Sequence, residues 1–102
     1  MNLEDKRKQI KNVSNPYLVY QKAKLLLNDD FVIDISTRVN KKYMIKSKFT
    51  KNKWVHFGDI RYMDYTKHQN DEKKNRFKLR NSHWLSDYEK YSPSWFSYNL
   101  LW

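Results

Sequence analysis

The 102-residue sequence predicts a single α+β domain: a small three-stranded antiparallel sheet covered by an N-terminal helix, followed by a basic helix and an aromatic C-terminal helical clasp. Three observations predict it. Apolar groups recur at three- and four-residue spacing over residues 16–28, β-branched and aromatic runs alternate over 31–58, and Trp, Tyr, Phe and Leu crowd the stretch 84–102. At 39% hydrophobic and 17% aromatic residues, the chain can build a core and is unlike a disordered basic tail.

The elements follow in order. Residues 1–14 carry Lys6, Arg7, Lys8 and Lys11 with only Leu3, Ile10 and Val13 as large apolar groups, and read as a basic arm, either loose or a poorly formed helix ahead of the domain at 15–102. Ser14 and Asn15 can cap a helix, and Pro16 suits its first position because the missing N–H is unpaired there anyway. Tyr17, Leu18, Tyr20, Ala23, Leu26 and Leu27 then mark an amphipathic helix over 16–28, stopped by Asn28, Asp29 and Asp30.

Phe31, Ile33 and Ile35 alternate with Asp34 in a first strand, 31–36. In a second strand, 41–47, Tyr43, Ile45 and Ser47 alternate with Lys42, Met44 and Lys46; a third, 53–58, ends at the sole glycine, Gly58, where a Cβ would not be tolerated. Residues 59–68 read as a short helix or helical turn. Asn70 or Asp71 then opens a basic helix through Arg80, and Ser92-Pro93 starts a final apolar helix or turn.

Composition removes several functions. With no cysteine there is no disulfide framework, thiolate zinc site or cysteine nucleophile. No glycine-rich loop can cradle a nucleotide, so no cofactor is expected, and the serines lack the tight-turn setting of a nucleophile. Apolar runs are too short for a membrane span, and MNLEDKRKQIKN lacks the apolar segment of a secretion signal, so neither membrane insertion nor secretion is expected.

The formal net charge is +10, and it is segregated. Arg38, Lys41, Lys42, Lys46, Lys48, Lys51 and Lys53 fall in one stretch without an acid, and Lys73, Lys74, Arg76, Lys78 and Arg80 crowd the basic helix. Such clusters neutralise phosphates, release counterions and bind nucleic acid without regard to sequence. Tyr43, Trp54, Tyr62 and Tyr65 are interleaved with them and can stack on bases if exposed. Solubility alone also accounts for a Lys-rich surface.

Two further features carry rival readings. His56, Asp59, Asp64 and His68, with Lys67 nearby, are the side chains a metal-dependent nuclease would need, but their spacing fits no closed ligand motif. The bland alternative pairs His56 with a neighbour, makes Asp59 a helix cap and leaves His68 on the surface. In the aromatic C-terminus, Trp95, Phe96 and Trp102 either complete the core or anchor a protein partner.

The segments NPYLVYQKAK, DISTRVNKKYMIK, KWVHFGDIRYMDYTKHQNDEKKNRFKLR and YSPSWFSYNLLW resemble a family of small uncharacterised basic proteins of giant nucleocytoplasmic large DNA viruses, mimivirus-like and algal. The resemblance runs from about residue 15 onward. It rests on Lys41 to Tyr43, Val55 to Gly58, the step Tyr62, Asp64, Tyr65, Thr66 and His68, the pair of Arg76 and Phe77 with Arg80, and the closing Leu100, Leu101 and Trp102. It departs at Asn81, where members often carry histidine, so any role of that histidine does not transfer. It implies viral origin, a place in the virion or the viral factory of the infected cell, and packaging or structural company; it names no catalytic residue.

The expectation is therefore a non-enzymatic protein that contacts DNA or RNA backbones through Arg38, Lys41, Lys42, Lys46, Lys48, Lys51, Lys53, Lys73, Lys74, Arg76 and Arg80. The first alternative is a minor capsid or virion protein meeting other viral proteins through Trp95, Phe96 and Trp102. A distant one is the nuclease using His56, Asp64 and His68.

Overall fold

The computed structural model describes residues 2–81 and 89–102; Trp84, Leu85 and Tyr88 of the expected clasp lie outside the described residues. The chain runs α1 (Leu3–Val13), α2 (Pro16–Leu27), β1 (Val32–Ile35), β2 (Lys41–Lys46), β3 (Val55–Asp59), α3 (Tyr65–His68), α4 (Asp71–Arg80) and α5 (Pro93–Phe96), which continues as a π-helical turn through Leu101. The strands form an antiparallel meander in the order β1-β2-β3, as the alternation predicts.

Local chemistry sets the boundaries. The Asn15 side chain accepts from Leu18 N–H at the start of α2, and Asn28 ends it at φ 61°, a left-handed conformation that breaks the helical ladder. Between β2 and β3, Ser47 and Thr50 form a reciprocal capping box around a short 3₁₀ turn, and Lys51 and Asn52 reverse the chain with φ of 57° and 58°. Asn70 caps α4 by accepting from Lys73 N–H, with Asp71 and Glu72 in its first turn and Lys78 and Arg80 in its last, each matched to the helix dipole.

Register places the core. Ile35, Tyr43 and Phe57 align across the three strands, as do Ile33, Ile45 and Val55, so one sheet face carries two apolar rows. Tyr43, Ile45 and Phe57 pack with Val19, Ala23 and Leu27 of α2 and with Phe96, Leu100 and Leu101. The expected cover, α2, is in place, and the C-terminal segment shares it. That segment passes along the open edge of β3, where Ser97 Oγ accepts from Gly58 N–H at 3.2 Å and satisfies an edge donor.

One segment differs from expectation, and another differs at its cap. Residues 3–13 are helical, and Ile10 is fully buried in the core while Lys6 is also buried, so the segment packs onto the domain and is not a loose arm. Lys6 Nζ donates to the carbonyls of Ser36 and Arg38, fastening α1 to the β1–β2 loop. Of residues 59–68, read as a short helix or helical turn, Tyr65–His68 are the short helix, while 59–62 form a turn because the Asp59 carboxylate takes the Arg61 N–H and Tyr62 N–H closes back on Asp59 O. The cap of α3 is Asp64, accepting from Thr66 N–H, instead of Asp59.

Gly58 meets its expectation. Its φ is +83°, and a Cβ there would stand 2.9 Å from Leu101 Cδ1 and 3.2 Å from Lys42 Cβ. Only glycine lets the C-terminal turn close over the β2–β3 hairpin at this point.

Candidate nucleic-acid interface

The expected basic residues do not gather in one place. Lys46, Lys48, Lys51 and Lys53 stand at the tip of the β2–β3 hairpin. Lys46 lies over the Trp54 ring at 4.8 Å, and Lys48 lies 3.5 Å from Asp30. Arg38 is exposed on the β1–β2 loop. Lys41 begins β2 at the other end of the strand, about 17 Å from the tip at the usual rise per residue.

Lys42 is removed from the surface. The alternation of β2 assigns it to the face opposite Tyr43, yet it is buried, with Nζ 3.0 Å from Asp64 Oδ2 and both side chains at most 2% exposed. Burial pushes its pKa below the usual lysine range, and the Asp64 charge and hydrogen bond pull the other way. A lysine so placed cannot contact a phosphate, so Lys42 leaves the expected set. Asp64 Oδ1 also accepts from Thr66 N–H and, in a short bond, from Thr66 Oγ1. Thr66 spends its one hydroxyl proton there, so Ser14 Oγ donates to Thr66 Oγ1 at 3.1 Å, and Tyr43 OH donates to Ser14 at 2.8 Å. The result is a directed buried network that ends on the Asp64 carboxylate and ties α1, β2 and α3 together.

Helix α4 has two basic faces. Lys74 and Lys78, one turn apart, lie over the rings of Tyr65 at 4.4 Å and Tyr98 at 5.0 Å. Lys22 of α2 feels both charges: burial first, then Lys74 and Lys78, lower its pKa. Lys22 escaped the sequence reading, because no spacing rule links it to a helix some fifty residues away. Arg76 stands 3.8 Å from Glu72. On the other face Lys73, Phe77 and Arg80 are spaced i, i+4, i+7, and Phe77 stacks on Trp102 with ring centres 4.4 Å apart and planes at 8°.

That second face shares a cleft with β2. Lys41, Lys42, Gly58, Asp59, Tyr62 and Met63 on one side, and Lys73, Phe77, Arg80, Ser97, Leu101 and Trp102 on the other, line one open cleft of about 670 Å³. Cations from the hairpin and from α4 therefore share this cleft. Among the described residues Asp59 is the acid that lines it, Asp64 being buried behind Lys42, and Asp59 takes a two-pronged grip from Arg61, with Nη2 to Oδ2 at 2.8 Å. That grip, more than any other cause, holds the Asp59 carboxyl down at about 2. Among the described residues Lys41, Lys73 and Arg80 have no ion-pair partner, so the cleft keeps their positive charge.

The remaining candidates fall as follows. His56 Nδ1 lies 2.6 Å from Ser36 Oγ, Asp59 is held by Arg61, and Asp64 by Lys42 and Thr66, so these side chains are engaged singly. Among the described residues no three His, Asp or Glu side chains gather where an ion could be held. His68 is half-buried between Tyr65 and Trp102, with Nδ1 accepting from Asn70 N–H, and is not a simple surface residue. Phe96 is fully buried against Phe57 and is core, not an anchor for a partner. Trp95 is half-buried against Tyr91 and Phe96, while Trp102 forms part of the cleft wall. No helix among the described residues is long and apolar enough to cross a membrane.

Fold and cleft thus define a small α+β domain with a basic, aromatic-lined cleft where a hairpin meets a helix. Residues 31–81, from β1 to the end of α4 and half of the chain, match a family of unknown function (DUF5754), and the protein belongs to that family. The match takes in Lys41, Tyr62, Lys73 and Arg80 but not α1, α2 or the C-terminal segment. No curated protein and no solved structure matches the chain.

Proposed function

We propose that this protein is a non-enzymatic, sequence-independent binder of nucleic-acid backbones, with the cleft between β2 and α4 as its principal contact. The observation that carries this reading is the meeting of Lys41, Lys73 and Arg80 around one open cleft whose lining carboxylate, Asp59, is already paired with Arg61. A phosphate entering there meets positive charge with no carboxylate to be displaced first. Lys74, Arg76, Arg38 and the hairpin-tip lysines extend the field around it and favour encounter over register. Association with a packaged genome would draw on the same contacts.

The test is the salt dependence of binding to a labelled oligonucleotide. Each lost phosphate contact lowers the slope of log K against log salt by about 0.7 to 0.9. Changing Lys41, Lys73 and Arg80 together to Gln should therefore flatten the slope by roughly 2 to 3, while changing Lys48, Lys51 and Lys53 to Gln should flatten it less. Binding that does not weaken as salt rises, or equal slopes for the two triple variants, would overturn the reading.

A further inference from the structure

Resting on that reading, we infer that the cleft takes unpaired nucleotides, so the ligand is single-stranded nucleic acid, with Tyr62 as the surface on which a base stacks. Tyr62 lies in the turn after β3 and is 60% exposed, and its neighbour Met63 is 43% exposed, both on the cleft wall. What sets these two apart from other exposed apolar groups is that they lie beside three cations on one cleft wall, where a base carried by a bound phosphate can reach them. The Arg61 guanidinium lies 5.3 Å from the Tyr62 ring centre and is itself fixed by Asp59. The guanidinium therefore lies against one face of the ring, and the residue is nevertheless 60% exposed.

The other expected stacking residues are less suited. Tyr43 is buried with its hydroxyl committed to Ser14, Tyr65 is half-buried under Lys74 and bonds Asp71, and Trp54 stands at the hairpin tip beneath Lys46. Tyr62 alone of the four combines an open ring with the Lys41, Lys73 and Arg80 cluster. A cleft of about 670 Å³ is of the size that holds one nucleotide-sized ligand. A duplex keeps its bases stacked and paired and cannot present a base face to a protein ring, whereas a single strand can.

The experiment compares three probes by fluorescence anisotropy at one salt concentration: a labelled oligothymidine of about 15 nucleotides, its duplex with oligoadenosine, and inorganic polyphosphate as competitor. The single strand should bind more tightly than the duplex. Tyr62→Ala should weaken the single strand at least about fivefold, the lower end of a lost base–aromatic stack, and leave competition by polyphosphate unchanged. Tyr62→Phe, which keeps the ring, should bind as wild type does. Equal or tighter duplex binding, or an oligothymidine affinity indifferent to Tyr62→Ala, overturns this inference and leaves backbone binding standing. Failure of all three probes at low salt overturns backbone binding itself, and the inference with it.

Discussion

Lys42 Nζ and Asp64 Oδ2 form an ion pair 3.0 Å apart inside the domain, joining the second strand to the cap of α3. Asp64 arrives there with two further hydrogen bonds from Thr66, so its charge is solvated by protein groups. Breaking such a pair from one side leaves an uncompensated buried charge, which is more costly than the pair is stabilising.

Lys42→Met should therefore lower unfolding stability by about 3 to 5 kcal/mol. Adding Asp64→Asn, which removes the orphaned charge while keeping an oxygen to cap Thr66 N–H, should recover at least about 1 kcal/mol of that loss. Urea denaturation of the four members of the cycle measures the coupling. Additive costs would mean that the two residues do not stabilise each other.

Gly58→Ala should destabilise by about 2 kcal/mol, since it combines a left-handed φ with a Cβ driven against Leu101 and Lys42. Thermal unfolding reads this directly. A variant as stable as wild type would show that the C-terminal turn does not close over β3 in this way.

Phe96→Ala removes a fully buried ring that packs on Phe57, and should cost about 3 to 5 kcal/mol. Trp95→Ala, at a half-buried site, should cost less. If Phe96 were instead a partner anchor, its truncation would leave the melting temperature in place.

Acid should weaken the fold before the carboxylates titrate. His56 and His68 both lie below the ordinary imidazole range. Burial is the first cause for each, seconded by Arg38, Lys6 and Lys41 at His56, and by Lys73 and Lys42 at His68 against the opposing pull of Asp64. The unfolded chain therefore takes up protons near pH 6.5 that the folded chain still refuses, so stability falls as pH drops through about 6.5 and levels off below the native values. Melting temperatures from about pH 8 to about pH 5 should show this decline, and a His56→Asn/His68→Asn variant should show less of it. A flat wild-type profile would contradict the direction of both shifts.

The sheet, α2 and the basic helix were legible in the residues because each is a local matter. The Asn15-Pro16 start, the alternation of Ile33, Asp34 and Ile35, and the Asn70 cap operate within a few residues of one another. The concentration of charge in residues 38–53 and in α4 was equally plain, and so was the need for glycine at the end of β3. The segment 59–68 was harder to read, because Asp59, Asp64 and Asn70 are all competent caps and sequence alone does not choose among them.

Sequence alone thus determined the sheet, α2, α4 and their order, and the amount of positive charge; tertiary structure decided which charges remain available. Alternation in β2 gives Lys42 to solvent, but residues far along the chain cover it: Asp64 neutralises it and Leu101 closes beside it at Gly58. Conversely, Lys41 lies more than thirty residues from Lys73 and Arg80, and only the approach of α4 to the hairpin puts them around one cleft. Periodicity records which way a side chain faces on its own element. Whether that direction ends in water, in a partner or in a shared cleft depends on contacts between segments distant in sequence, and local spacing carries no information about those.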